Sequence, residues 1–190
     1  MNIKIPIETS VRHIHLSKKD LETLFGKDYQ LKKLKQLTLP EEFAAKETVE
    51  IQVNSKKISN LRAIGSLRKE TQIELAKTDA IFLGINAPLK ESGDLKGTPG
   101  AIISGPKGKI KIKRGIINTW RHIHCNSKEA ERLGLKDGML VSVKTDSGLG
   151  SITFHNVKVR IKENYKLCMH IDTDEGNAAG IIKKGNGVII

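Results

Sequence analysis

The sequence RHIHLS at residues 12–17 returns in shortened form as RHIH at residues 121–124, and this pair of motifs decides the predicted fold. Behind each motif, at residues 18–25 and 128–133, apolar side chains recur at the spacing of a short amphipathic helix. Typical N-cap residues precede both segments, namely Ser17 in the first copy and Asn126 or Ser127 in the second. A repeated four-residue identity followed by a similar helix indicates an internal duplication.

A second, weaker match between the two halves keeps the same order along the chain. It pairs Arg62 with Arg160, Gln72 with His170, Ile73 with Ile171, Glu74 with Asp172, Asp79 with Asn177 and Ala80 with Ala178. A unit that occurs only twice does not form a solenoid, which needs about three or more repeats. The duplication therefore predicts two similar β-barrels or sandwiches.

Glycine and proline separate short alternating runs along most of the chain, which is typical of β-strands. The runs are 47–53, 80–85, 101–104, 109–113, 139–145, 151–154 and 157–161. We therefore predict a mainly β fold with two similar β-barrel domains and short capping helices. Residues 12–119 are expected to form the first barrel, with a lid-like insertion at 26–46. Residues 120–190 are expected to form the second.

The chain is strongly basic, with 33 Lys and Arg against 21 Asp and Glu, a net charge of +12. This balance favours an anionic partner: nucleic acid, a membrane surface or a phosphorylated small molecule. Aromatic residues make up only 4% of the chain, which argues against stacking on nucleic acid. No apolar run approaches the roughly 18 residues of a membrane span. We expect no nucleic-acid partner and no membrane association.

Two cysteines, Cys125 and Cys168, are too few for a disulfide framework and suit a reducing compartment. We expect both to be core residues that face away from the neighbouring histidines. The first residues alternate as a strand and show no signal-peptide pattern. These features predict a cytoplasmic protein.

Five of the six histidines lie in three short motifs, which is the main chemical signal of the sequence. Residues i and i+2 of a strand share a face, so His13 with His15, and His122 with His124, can each present two imidazoles to one ion. Zinc suits such a ligand set and commonly takes three protein ligands in reactive sites. The candidates for the third ligands are His170, Glu74, Asp172 and Asp174.

An isolated His-x-His pair is usually only two polar residues on one face of a strand, and the duplication is what favours metal binding here. Four arginines accompany the motifs: Arg62, Arg68, Arg121 and Arg160. Arg68 is the most suggestive, because it lies near Gly65 and six residues before Glu74, where it can reach an anion bound at the metal.

Taken together, these motifs resemble the PduL-type phosphate propanoyltransferases, a family of zinc-dependent phosphotransacylases. The resemblance spans nearly the whole chain. It is carried by RHIHLS at 12–17, FAAKETV at 43–49, LRKETQIE at 67–74, APLKESGDLKGTPG at 87–100, RHIH at 121–124 and MHIDTDEGNAA at 169–179.

The resemblance implies an enzyme that transfers a short acyl group reversibly between coenzyme A and inorganic phosphate, giving an acyl phosphate. It also implies two barrels with a swapped first strand, so that an N-terminal strand at 2–11 completes the second barrel, and it implies a two-zinc site. One zinc would be held by the residues that match His13, His15 and Glu74. The second would be held by the residues that match His122, His124 and His170.

The same resemblance assigns substrate contacts to individual residues. Arg68 matches the family's phosphate-binding residue, and further polar residues of the catalytic site match Glu42, Gln72, Ser92 and Arg160. Coenzyme A is a substrate, with nucleotide-side contacts at the positions of Thr9, Ser10, Arg62 and Asn177. Encapsulated members carry an amphipathic helix before the first strand. Only eleven residues precede Arg12 here, so we expect a cytoplasmic enzyme outside microcompartments.

Three departures from the family pattern leave the acyl-chain preference open: Leu39, Ser66 and residues 53–57. The sequence is also compatible with a homo-oligomer. The main alternative to an enzyme is a non-catalytic, zinc-stabilised module that binds phosphorylated ligands. A basic nucleic-acid-binding β domain is a third interpretation, but it does not account for five ordered histidines.

Overall fold

The computed structural model describes residues 3–190, which divide into two compact units. Arg12–Thr119 form one, here called the half-barrel unit, and residues 3–11 with Trp120–Ile190 form the other, the closed-barrel unit. Strands account for 45% and helices for 16%, so the predicted mainly β fold is confirmed. Asn2, included in the predicted first strand, lies outside the described residues. No helix within residues 3–190 has both the length and the apolar character to cross a membrane.

The strands are short and are numbered in chain order. They are β1 (Ile3–Thr9), β2 (His13–His15), β3 (Lys33–Gln36), β4 (Phe43–Val53), β5 (Lys56–Gly65), β6 (Gln72–Leu75), β7 (Leu89–Lys90), β8 (Ala101–Ser104), β9 (Lys109–Ile112), β10 (Ile116–Thr119), β11 (His122–Cys125), β12 (Leu140–Thr145), β13 (Thr153–Ile161), β14 (Cys168–Ile171) and β15 (Lys184–Ile189). The helices are α1 (Lys18–Phe25), α2 (Lys77–Leu83), α3 (Ser127–Leu133) and α4 (Thr173–Ala178).

The closed-barrel unit is a six-stranded barrel in the order β1-β14-β11-β13-β12-β15. The chain's first strand, β1, lies between β14 and β15, parallel to the former and antiparallel to the latter. Alternate residues of β1, Ile5 and Ile7, are fully buried in the core with Val143, Val159 and Met169. The period-two pattern of β1 is therefore explained by one face that packs inside this barrel.

The half-barrel unit is a curled nine-stranded sheet in the order β7-β10-β6-β2-β5-β4-β8-β9, with β3 paired to β4. Its core contains Ile14 and Leu16, which flank His15 in the chain, together with Leu61 and Ile73. Because side chains alternate across a strand, burying Ile14 in the core directs the two histidines of β2 to the opposite face.

The strand pairing repeats in the two units. In the half-barrel unit β2 pairs in parallel with β5 and antiparallel with β6, and β11 pairs likewise with β13 and β14. His13 lies opposite Glu74, and His122 lies opposite His170. The predicted match of Glu74 with Asp172 is therefore wrong by two residues. A shift of two residues leaves each side chain on the same face of its strand, so the alternating pattern does not reveal it.

The two predicted helices are present as α1 and α3, with Ser17 and Asn126 as their N-caps. The predicted strand at 80–85 is wrong, because this segment belongs mainly to helix α2. Ala80 and Leu83 are buried, whereas Ile81 and Phe82 between them are exposed, which is helical spacing. A short continuous apolar run does not distinguish a buried strand from a helix, which explains the error. The runs 151–154 and 157–161 lie mainly in one strand, β13.

Asn126 secures the helix that directly follows the second histidine motif. Its side chain accepts a hydrogen bond from the backbone N–H of Glu129, whose carboxylate accepts one from the backbone N–H of Asn126. We expect Asn126→Ala to lower the free energy of unfolding by about 1 kcal/mol, the usual cost of losing such a cap. Urea unfolding measures this change. The exposed neighbour variant Lys128→Ala is the control, and an equal loss there would contradict the capping role.

Candidate metal centres and their surroundings

The first group of potential metal ligands consists of His13, His15 and Glu74 in the half-barrel unit. The two histidine Nε2 atoms lie 3.2 Å apart. Glu74 places Oε2 3.6 Å from His13 Nε2 and Oε1 3.7 Å from His15 Nε2. Metal–ligand bonds of about 2.0–2.2 Å in tetrahedral geometry put ligand atoms roughly 3.3–3.6 Å apart. The three side chains therefore fit a tetrahedral ion with one position left open.

Hydrogen bonds to the Glu74 carboxylate hold it in this group. Oε1 accepts from Gln72 Nε2 at 2.6 Å and from Ser92 Oγ at 2.9 Å, and Oε2 accepts from Thr119 Oγ1 at 2.6 Å. Burial raises the pKa of Glu74, but the nearby imidazoles of His13 and His15 and these donors outweigh it and bring the pKa below its usual value. Glu74 is therefore ionised at neutral pH, as metal binding requires.

Arg68 lies directly beside this triad. Nη1 donates to Ser92 Oγ at 3.1 Å, while Nη2 donates to Glu42 Oε1 at 3.2 Å and lies 3.3 Å from His15 Nε2. The backbone N–H of Arg68 donates to the carbonyl of Leu16 at 2.9 Å, which fixes its segment next to β2. The guanidinium is thus positioned by both backbone and side-chain contacts.

His15 is only 2% exposed, and its protonation state follows from that burial. Desolvation, followed by the proximity of His13, lowers the pKa of His15 to about 3. The ring is therefore neutral at physiological pH. A neutral imidazole has the nitrogen lone pair that a metal ion needs.

The second group, in the closed-barrel unit, contains His122, His124 and His170, whose ligand atoms all lie within 4.8 Å of one another. His122 Nδ1 lies 2.8 Å from the carbonyl of Trp120, to which it can donate, leaving Nε2 for a metal. Burial, and then the proximity of His122 and His170, lowers the pKa of His124 below its usual value. Neither ring nitrogen of the buried His124 has a hydrogen-bond partner among the described residues. A bound cation would satisfy a nitrogen that is otherwise costly to bury.

The structure selects among the predicted third ligands. Glu74 and His170 belong to the two groups, whereas Asp172 and Asp174 belong to no group of potential ligands within residues 3–190. Asp172 instead caps helix α4 by accepting from the backbone N–H of Glu175.

Cys168 corrects one prediction about the cysteines. Cys125 is a core residue as expected. Cys168, however, lies two residues before His170 on β14, so the two share a face, and its Sγ approaches His170 and Glu8 within 4.8 Å. Burial raises the pKa of the Cys168 thiol to about 12, so it stays protonated at neutral pH and is a weak ligand.

The other predicted catalytic residues lie beside the two triads. Gln72, Ser92, Glu42 and Arg68 meet at the first triad. Arg160 lies opposite His124 in the pairing of β11 with β13, beside the second triad.

The residues predicted to contact the nucleotide part of coenzyme A belong to both units. In the closed-barrel unit Thr9 packs against Gly176, so closely that a Cβ added to this glycine would lie 2.7 Å from Thr9 Oγ1. The next residue along the chain, Asn177, is exposed. The backbone N–H of Ser10 donates to Ile171 O at 2.7 Å. In the half-barrel unit Arg62 Nη1 donates to the carbonyls of Ala45 and Lys46.

Sequence reasoning missed Thr119 as a residue of the first triad's surroundings. It lies at the end of β10, which pairs in parallel with β6, the strand that carries Glu74. No motif signals this threonine, because its contact depends on the pairing of strands that are far apart in the sequence.

The fold and the two triads define a mainly β protein with a candidate metal centre in each of two units. The model of the family described as phosphate propanoyltransferase matches residues 6–182. The chain belongs to the phosphate propanoyltransferase family and is an acyltransferase.

Curated relatives agree over nearly the full length. The chain is 47% identical over 175 residues to the phosphate propanoyltransferase of Thermotoga maritima, a match that covers 92% of this chain and 83% of the relative. It is 45% identical over 178 residues to the enzyme of Lachnoclostridium phytofermentans, covering 93% and 83%. The Clostridioides difficile enzyme is 42% identical over 179 residues, covering 94% and 85%.

Proposed function

We propose that this chain transfers a short acyl group reversibly between coenzyme A and inorganic phosphate, and that each unit binds one zinc ion. The observation that carries the proposal is the position of Arg68 Nη2, 3.3 Å from His15 Nε2 and so beside the candidate ligands His13, His15 and Glu74. A planar guanidinium with two donors suits the oxygens of phosphate. The net charge of +12 also favours two anionic substrates.

Arg68, Ser92 and Glu42 would prepare the phosphate position before the substrate arrives. Ser92 and Glu42 hold the guanidinium in one orientation, so little ordering is needed when phosphate binds. Phosphate carries more charge than a single carboxylate and can replace Glu42 as the partner of Arg68. In the closed-barrel unit, Arg160 lies opposite His124 and would supply a cationic group beside the second triad.

The transfer itself needs no nucleophile from the protein. A phosphate oxygen attacks the carbonyl carbon of the thioester, a C–O bond forms, the C–S bond breaks, and coenzyme A leaves as a thiolate that takes a proton. When bound, zinc supplies a Lewis acid for the carbonyl oxygen and for the developing thiolate. The protein's two cysteines are unsuited to a covalent route, since burial raises the pKa of Cys125 to about 11 and that of Cys168 to about 12.

Contacts to the nucleotide part of coenzyme A are assigned in this proposal to Thr9, Ser10, Arg62 and Asn177. The packing of Thr9 against the helix of Asn177 supports a common role for these two residues. The preferred acyl chain is to be determined by comparing acetyl-, propanoyl- and butanoyl-CoA as substrates.

Metal content tests the zinc part of this proposal. We expect about two zinc ions per chain, because each triad supplies three ligands and leaves one position open. His13→Ala and His122→Ala are each expected to remove about one equivalent, measured by elemental analysis of metal-replete protein. His155→Ala, outside both triads, is the control and is expected to retain both ions. One ion or none in the unmodified chain would contradict the assignment.

Thiol release tests the acyl-transfer part. The zinc-loaded protein is expected to release coenzyme A from propanoyl-CoA when phosphate is present, and not when sulfate replaces it. Absence of thiol release from acetyl-, propanoyl- and butanoyl-CoA would overturn the proposed function.

A further inference from the structure

We propose that Thr119 is a positioning residue that makes Glu74 a metal ligand through one oxygen only, Oε2. This inference rests on the proposed metal centre of the half-barrel unit. It assigns a role to a residue outside the sequence motifs, and it concerns how tightly the centre holds its ion.

The hydrogen-bond donors around Glu74 can be assigned without ambiguity. Gln72 Oε1 accepts from the backbone N–H of Gly93 at 2.7 Å, so its amide nitrogen must face the other way, toward Glu74 and Ser92. Ser92 Oγ accepts from that amide at 2.8 Å and from Arg68 at 3.1 Å. Its single O–H is therefore left to donate to Glu74.

Counting lone pairs then separates the two carboxylate oxygens. An ionised carboxylate offers about two acceptor positions on each oxygen. Oε1 of Glu74 accepts from both Gln72 and Ser92, which uses both of its positions. Oε2 accepts from Thr119 and keeps one position, and it lies 3.6 Å from His13 Nε2. Oε2 is therefore the oxygen available to a metal ion.

Thr119 determines the direction of that remaining lone pair. Its hydroxyl donates to Oε2 at 2.6 Å, a short distance typical of a hydrogen bond to an ionised acceptor. With this bond in place, the carboxylate cannot rotate without losing a partner on one oxygen or the other. Partners of this kind typically change metal affinity by about 10- to 100-fold when they are removed.

The test measures zinc affinity in the absence of any acyl substrate. The full-length chain carries His122→Ala and His124→Ala, so that only the first triad binds, and a chelator of known affinity competes for zinc. Adding Thr119→Val, which keeps the shape but removes the hydroxyl, is expected to weaken zinc binding by about 10- to 100-fold. Thr119→Ser is expected to stay within about threefold, because it restores the donor. Thr119→Ala provides a second hydroxyl-free variant if valine disturbs the fold.

Thr98→Val is the matched control in the same unit. Thr98 is buried, whereas Thr119 is half-buried. The Thr98 hydroxyl donates to Leu95 O at 2.8 Å and accepts from the backbone N–H of Gly115 at 2.9 Å, and no hydrogen bond joins it to Glu74. We expect unchanged zinc affinity in this variant, even where its free energy of unfolding falls.

Three results would overturn the inference. They are unchanged zinc affinity in Thr119→Val, equal losses in Thr119→Ser and Thr119→Val, and an equal loss in Thr98→Val. A chain with Thr119 intact that binds zinc as expected but releases no thiol from acyl-CoA contradicts only the proposed function. A chain with Thr119 intact that binds no zinc contradicts both.

Discussion

Replacing Arg68 with alanine is expected to lower the rate of phosphate-dependent acyl-CoA cleavage by about 10²- to 10³-fold, or about 3–4 kcal/mol. Arg68 is about 29% exposed in its side chain and is held by Ser92 and Glu42 beside the first triad. A preorganised donor of this kind stabilises charge that is present on phosphate and that develops on the thioester oxygen. Steady-state kinetics with varied phosphate measures the loss, and zinc content and fold are expected to be unchanged.

Two further variants sharpen this expectation. Arg68→Lys is expected to restore only part of the rate, because an ammonium group cannot make a two-pronged contact with phosphate. Lys111→Ala, on the exposed edge strand β9 of the same unit, is the control for general loss of positive charge. Its rate is expected to change by less than about threefold at moderate salt, because exposed charges are screened. Near-normal turnover of Arg68→Ala at saturating phosphate would show that the phosphate position is wrongly assigned.

Removing the metal is expected to lower acyl transfer by at least about 10³-fold, because Lewis-acid stabilisation supplies several kcal/mol. Chelator-treated protein is the sample, and added zinc is expected to restore the rate. The chain itself would hold the first ion with two imidazoles and one carboxylate, and the second ion with three imidazoles.

His155→Ala serves again as the reference for this experiment, since its exposed ring contacts Ser142 and lies outside both triads. Its zinc-restored activity is expected to match that of the unmodified chain. Full activity of metal-free protein would contradict the proposed role of both triads.

Much of the fold follows from local sequence signals. The alternating pattern of residues 3–9 predicts strand β1, and the structure contains it. The N-caps Ser17 and Asn126 likewise begin helices α1 and α3, and the HxH motifs lie on strands. Helix α2 was not predictable in this way. Its apolar run lacks polar residues that would reveal whether the period is two or 3.6.

In the candidate site, too, some features follow from local sequence and others depend on strand pairing. The HxH spacing places two imidazoles on one face, so half of each triad is a local property of the sequence. The third ligand of each triad depends on strand register. The alignment of the two sequence halves matched Glu74 with Asp172, whereas the strand pairing makes His170, two residues earlier, its counterpart. Thr119 depends on pairing between β10 and β6, which no local pattern encodes.

In the proposed reaction, the acyl group passes to phosphate and not to water. Phosphorus NMR of zinc-loaded protein with propanoyl-CoA and phosphate tests it most directly, with coenzyme A measured in the same sample. We predict propanoyl phosphate in an amount equal to the coenzyme A released, and consumption of both when the reaction is started from the products. Release of coenzyme A without propanoyl phosphate, or no release at all, would contradict the account.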